Sequence, residues 1–284
     1  MRRKLRDLIQ SAATPLLRVA SRAYVPGPHL DDALTLARQL EAQGLSATIG
    51  YFNSDDDAPD LITGYDLAAI EAATTLKHPA YVSIKVPPLL YDPSRVGTLA
   101  RLATQHGQWL HFDSHGPETA EPTLNLMTQV QGEHTKLGLT IPGRWVRSLH
   151  DADWAIANGV RVRVVKGQWA CPEHPDMDLR EGFMAVIERL AGRAVEVAVA
   201  SHDAQLVRQA LTRLKAAGTP CELELLCGLP RHEVMAVAKE LGVPVRYYVP
   251  FGTAWLPYAM GQLLRQPRLW GWMLRDLLAS FGQR

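Results

Sequence analysis

The chain has 284 residues, 47% of them hydrophobic, which is enough to bury a sizeable core in one large α/β domain. Thirty basic against twenty-nine acidic residues leave a net charge of +1, so there is no global field to gather nucleic acid, and neutral small-molecule chemistry is expected. Cys171, Cys221 and Cys227 have no metal-ligand spacing and cannot all pair, which points away from a disulfide scaffold and toward a reducing cytoplasm.

The start, Met1 to Ile9, is basic and amphipathic but lacks the continuous apolar stretch of a secretory signal. Residues 1–23 are therefore read as an N-terminal helical extension that docks on the domain, with peripheral membrane contact as the other use of such a face. No apolar run reaches the roughly 18 residues of a membrane span. Apolar, β-branched-rich runs then recur near 45–51, 80–86, 107–113, 137–142, 160–165, 194–200, 221–226 and 243–249. Between most of them apolar residues fall at helical spacing, as from Leu30 to Leu40, Leu206 to Leu214 and His232 to Leu241, closed by Gly44, Gly218 and Gly242. Eight such βα units over the whole chain predict one domain folded as a (β/α)8 barrel of the TIM type. An open doubly wound sheet is the alternative, but no strand is followed by GxGxxG.

The polar residues sit where a barrel carries its chemistry. Lys85, Asp113, Arg163 with Lys166, His202, Glu224 and Tyr248 lie in or just beyond the second halves of their strands. Alternation puts Arg161, Arg163 and Val165 on one strand face, and a guanidinium inside a barrel needs an anionic or electron-rich partner. An ion pair with Asp113 or Glu224 meets that need, as does a bound ligand. Gly167 permits close backbone approach, and Lys166 suits a phosphate. Ser201-His202-Asp203 precedes a helix starting near Ala204, where it either caps the helix or offers amides to an anion such as a pyrophosphate. His111, Asp113 and His115 share a face, as on a metal-binding strand, although Gly116-Pro117 takes His115 off the strand and nothing completes a cage, so no metal is expected. His134 and His150 read as surface residues. No GxSxG elbow supports acyl transfer.

Four segments carry a family resemblance: VRVVKG at 162–167, ASHD at 200–203, ELELLCG at 222–228 and YVPFGTAWLPY at 248–258. With them the chain resembles proline dehydrogenase, a flavin-dependent enzyme on a distorted (β/α)8 barrel, over about nine tenths of its length, and the last segment looks most like the single-function bacterial enzymes. The resemblance implies FAD as cofactor and oxidation of a C–N bond by hydride transfer to flavin N5. It implies that Arg163 contacts the isoalloxazine, that Lys166, Gly167, Gln168 and Trp169 line the cofactor, and that Ser201 and His202 hold its adenosine and phosphate end. Lys85 matches the lysine that fixes the substrate carboxylate and Asp113 its partner, while Leu226, Tyr248 and Tyr258 match the walls over the ring. Lys85, Asp113, Arg163, Tyr248 and Tyr258 are then the catalytic set. A small amine or imino acid is the implied substrate, and a quinone or oxygen the candidate electron acceptor.

The departures are as informative. Gly261 and Gln262 stand where the family has an arginine pair that clamps the carboxylate, and each such bidentate contact is worth on the order of 2–5 kcal/mol. Arg265, one helical turn from Gly261, is the available substitute, so Gln262 and Arg265 join the candidate substrate-binding residues. Pro142 and Glu224 replace two glutamines near the flavin, and a carboxylate there disfavours an anionic reduced ring unless it is paired. The expected substrate is proline or a related cyclic or secondary amine. A diverged accessory protein without redox activity and a metal-dependent barrel hydrolase are the two rival readings.

Overall fold

The computed structural model describes residues 27–78, 80–132 and 136–254. The expectations for residues 1–23, His134, Tyr258, Gly261, Gln262 and Arg265 lie outside the described residues. In chain order the elements are α1 (Leu30–Glu41), β1 (Ser46–Tyr51), α2 (Pro59–Ala73), β2 (Tyr81–Ile84), α3 (Pro93–Gln105), β3 (Trp109–Phe112), α4 (Ala120–Val130), β4 (Leu137–Pro142), α5 (Ser148–Ala157), β5 (Arg161–Val165), α6 (Leu179–Leu190), β6 (Val197–Ala200), α7 (Ala204–Ala216), β7 (Cys221–Leu226), α8 (His232–Leu241) and β8 (Val245–Phe251). All strand pairs are parallel, and β8 returns to β1 with Ser46 opposite Arg246 and Tyr51 opposite Phe251. The sheet is a closed eight-stranded barrel, and the open-sheet alternative falls.

Local chemistry accounts for the element ends. Asp92, Asp178 and Asp203 stand at the starts of α3, α6 and α7, where each carboxylate accepts a backbone N–H of the first turn that has no partner inside the helix. Gly242 closes α8 at φ 61°, a left-handed conformation in which any side chain would be strained.

Strand alternation separates two environments. Val162 and Val164 of β5 face the helices and are fully buried, while Arg161 and Arg163 point into the barrel, where they meet side chains from other strands. The barrel interior is therefore largely polar. Tyr81, Arg161, Glu222 and Arg246 form a layer toward the N-terminal ends of the strands, and Ser83, Asp113, Arg163, Glu224 and Tyr248 form one near the C-terminal ends. On the outside, α1 packs against both β8 and β1 and fills the slot between them.

Candidate active site at the barrel mouth

Arg163 organises the upper layer. Its Nε donates to Glu224 Oε2 at 2.8 Å and its Nη2 to Oε1 at 2.6 Å, while Nη1 donates to Asp113 Oδ1 at 2.7 Å. Each guanidinium nitrogen thus meets a carboxylate, and Thr48 Oγ1 adds a hydrogen bond to Glu224 Oε1 at 2.9 Å. The ion pairs weighed from sequence as one option for Arg163 are both present. Burial pushes the Glu224 carboxyl up, but the attraction of Arg163 outweighs it and brings the pKa down to about 2.

Asp113, just past β3, joins this group to the rest of the mouth. Oδ1 also accepts from Ser83 Oγ at 2.7 Å, and Oδ2 accepts from the Tyr248 hydroxyl at 2.8 Å. Burial, then the Asp113 charge, raises the Tyr248 pKa well above the usual phenol range, so this hydroxyl stays a donor. Lys85 Nζ lies 4.0 Å from Asp113 Oδ2, donates to the Tyr51 carbonyl at 2.6 Å and sits 4.1 Å from the centre of the Phe52 ring. Burial lowers the Lys85 pKa, against the pull of Asp113 and Asp66. Two cations, two carboxylates and a phenol from β2, β3, β5, β7 and β8 thus converge.

The other candidate residues form the rim. Lys166 Nζ donates to Asp203 Oδ2 at 3.1 Å, and Arg180 pairs with the same carboxylate. Gly167 has φ 95°, and a Cβ there would strike Pro142 and Arg144, so the β5 loop lies tight against the end of β4. Arg144 Nη1 donates to the Gln168 carbonyl at 3.2 Å. Trp169 holds the Trp145 indole N–H on its carbonyl at 2.9 Å and stacks its ring on His115 with centroids 5.6 Å apart. Ser201 Oγ accepts from the Asp203 amide at 3.2 Å. His202 has both ring nitrogens in use: Nδ1 donates to the Pro230 carbonyl at 2.7 Å and Nε2 accepts from the Leu226 amide at 3.1 Å. Those roles fix the neutral tautomer with the proton on Nδ1, and the ring braces β6 against the loop after β7. Beside it a cleft of about 370 Å³ opens between the starts of α7 and α8, lined among others by Arg180, His202, Gln205, Arg231 and His232.

The metal reading gains nothing here. His111 is fully buried with Nε2 2.8 Å from Thr140 Oγ1, His115 stacks on Trp169, and among the described residues no group of three or more His, Cys, Asp or Glu side chains is arranged to hold an ion. Sequence reasoning missed Thr48, Ser83 and Thr140, which complete the polar network, and Arg180 and Arg231, which border the cleft. The period-two signal was available for Ser83, two residues from Lys85. The arginines lie in loop-to-helix junctions with no pattern to mark them. All three cysteines are free thiols, Cys171 and Cys227 buried.

No family model matches the chain. It is 25% identical over 279 residues to proline dehydrogenase 1 of Bacillus subtilis (strain 168), covering 92% of this chain and 91% of that protein. It is 22% identical over 268 residues to proline dehydrogenase 2 of the same strain, covering 88% of each. Among solved structures, proline utilization A from Bdellovibrio bacteriovorus, inactivated by N-propargylglycine, superposes with a TM-score of 0.73 at 15% identity over 86% of this chain. Proline utilization A from Corynebacterium freiburgense gives 0.72 at 16% identity over 98% of it. This chain spans only 32% and 35% of those two longer chains.

Proposed function

The chain belongs to the proline dehydrogenase family, and from that premise we propose that it is a flavin-dependent oxidoreductase acting on the C–N bond of proline or a proline-like cyclic or secondary amine. The observation that carries this reading is Asp113, held by Arg163, Ser83 and Tyr248 with Lys85 4.0 Å away, at the C-terminal ends of the strands. Such a cluster offers an oriented carboxylate to an amine nitrogen and a cation to an electron-rich group on the same small molecule.

The residues suit FAD. The cleft beside His202 has two helix N-termini at its edge and Arg180 and Arg231 in its lining, groups that suit a diphosphate, with the carboxylates of Asp203, which caps one helix and pairs with Arg180, and Glu233 also in the lining. Ser201 and His202, joined by Arg180 and Arg231, would hold that end, with Lys166, Gly167, Gln168 and Trp169 along the way to the mouth, and Arg163, Glu224 and Leu226 toward the ring. A bound flavin would supply the acceptor for a hydride from the carbon beside nitrogen. The chain's own residues supply orientation and charge. Asp113, fixed by three donors, accepts a hydrogen bond from the substrate nitrogen without moving. Tyr248 keeps its proton and forms a wall, and Lys85 meets a carboxylate or other electron-rich substituent. Tyr258, Gln262 and Arg265 complete this proposal as the remaining substrate contacts.

Purified protein is expected to show a flavin absorbance band, directly or after addition of FAD, that bleaches anaerobically with the right amine. A preparation that stays colourless with added FAD would end this reading in favour of a redox-inactive accessory protein. Gly261→Arg with Gln262→Arg is expected to raise turnover of proline relative to amines without a carboxylate. Reoxidation by a quinone analogue against oxygen then identifies the acceptor class.

A further inference from the structure

Arg163 joins the two carboxylates of the upper layer, Asp113 and Glu224. Its ion pair with Glu224 is two-pointed and nearly closed to solvent, with Glu224 2% exposed. Thr48 holds one Glu224 oxygen from β1, so the carboxylate is fixed from two sides. The formal charges at the floor of the mouth are then two positive, on Arg163 and Lys85, and two negative, on Asp113 and Glu224, with buried Asp66 beside Lys85 adding a third negative charge as it ionises toward pH 8 and Arg161, Arg246 and Glu222 in the layer beneath. A glutamine at 224 would make the floor more positive by one charge, with Asp66 protonated or ionised.

Resting on the flavin reading above, we infer that Glu224 sets the charge of this site: it cancels Arg163, lowers the charge of the floor by one whatever the state of Asp66, and so makes a bound flavin take up two protons with its two electrons instead of one. Glu224 is in this sense a positioning residue that acts through Arg163. The balance is simple. Hydride departure from the amine carbon delivers two electrons and one proton to the ring and leaves a protonated imine. That imine's N–H proton is released, and a second proton binds N1 of the ring. In water the N1 site of a reduced flavin ionises near neutrality, and an uncompensated cation near a bound ring would favour the anion, while a cation paired with a carboxylate would not. The low pKa of Glu224 agrees with a carboxylate that stays charged throughout this range.

The test is spectroelectrochemical titration of the full chain loaded with FAD, from mildly acid to mildly alkaline pH, for the wild type and Glu224→Gln. The wild type is expected to take up two protons per two electrons across the range. Glu224→Gln is expected to change to one proton above neutrality, with a higher potential and about a tenfold or greater fall in the proton affinity of the reduced ring. Equal proton uptake and equal potentials in two FAD-loaded proteins would overturn the inference. The wild-type slope needs no variant, and one-proton uptake above neutrality overturns it even if Glu224→Gln does not fold. A chain that binds no FAD overturns the flavin reading and the inference with it, an outcome plainly distinct from bound FAD with the wrong slope.

Discussion

Two arginines of β5, two residues apart, sit in chemically similar layers and serve different ends. Arg161, fully buried, donates through Nε to Glu196 Oε1 at 2.8 Å and pairs with Glu222, which also accepts from Arg246 Nε at 2.7 Å. The Tyr81 ring is in contact with both guanidinium groups, 4.3 Å from that of Arg161 and 3.6 Å from that of Arg246. This layer closes the base of the barrel. Arg163 is paired as thoroughly, but its neighbours Asp113 and Lys85 have side chains 14% and 11% exposed and lie beside the loops. Salt bridges alone do not mark a functional site. What separates the two layers is that the upper one reaches the strand ends, where Asp113 and Lys85 keep some exposure.

The largest expected effect breaks the lower layer. Arg161→Ala leaves Glu222 and Glu196 without that cation and should cost about 3–5 kcal/mol of stability, measured by denaturant unfolding. An unchanged midpoint would mean that the base layer is not structural. Arg163→Lys keeps a charge in the upper layer but loses the fork that meets two carboxylates. Under the proposed flavin chemistry it is expected to slow reduction of bound FAD by the amine about 100-fold in rapid-mixing measurements, and a wild-type rate would remove Arg163 from the chemistry.

A third variant probes the support behind the upper layer. Asp66 of α2 is 2% exposed, and its Oδ2 has no hydrogen-bond partner. Burial raises its pKa from 3.8 to about 8, with Lys85 pulling the other way and Asp113 adding to the rise. Because the folded value lies above the unfolded one, Asp66 favours the fold only below about pH 3.8, and that contribution is lost as the pH climbs toward 8. Asp66→Asn should therefore become more stable than the wild type by roughly 1–3 kcal/mol as pH rises through this window. A stability difference independent of pH would show that Asp66 does not titrate there.

The barrel was legible because its signals are repetitive: eight apolar runs, helical spacing between them, and closing glycines such as Gly218 at φ 70°. The upper layer was legible for a related reason, since Lys85, Asp113, Arg163, Glu224 and Tyr248 all stand at the same end of their strands. Pairing was harder to read. Nothing in the sequence distinguishes a free Arg163 from one locked to Glu224, because that depends on the distance between β5 and β7, which are not neighbours in the sheet. His202 shows the same limit. Its position in ASHD suggests a ligand contact, whereas its two ring nitrogens join Pro230 to Leu226, a tertiary arrangement that local sequence does not encode.

The smallest expected effect lies at the contact between β8 and β1. Tyr248→Phe removes one donor from Asp113 Oδ2 but keeps a ring beside Arg163, now 5.1 Å from the guanidinium carbon, so it should cost about 1 kcal/mol. The same hydroxyl occupies the space above Gly50, where an added Cβ would lie 2.2 Å from Tyr248 Oη. Gly50→Ala in the wild type must therefore displace the phenol from Asp113, whereas in the Tyr248→Phe background the closest contact is gone and the ring carbon Cζ, 2.8 Å from the added Cβ, can shift without breaking a hydrogen bond. The two substitutions should together cost less than their sum, with a coupling of about 1 kcal/mol in a double-mutant cycle read by unfolding. Strict additivity would show that the hydroxyl does not stand over Gly50. The hydrogen bond that orients Asp113 would then have to be sought from another donor.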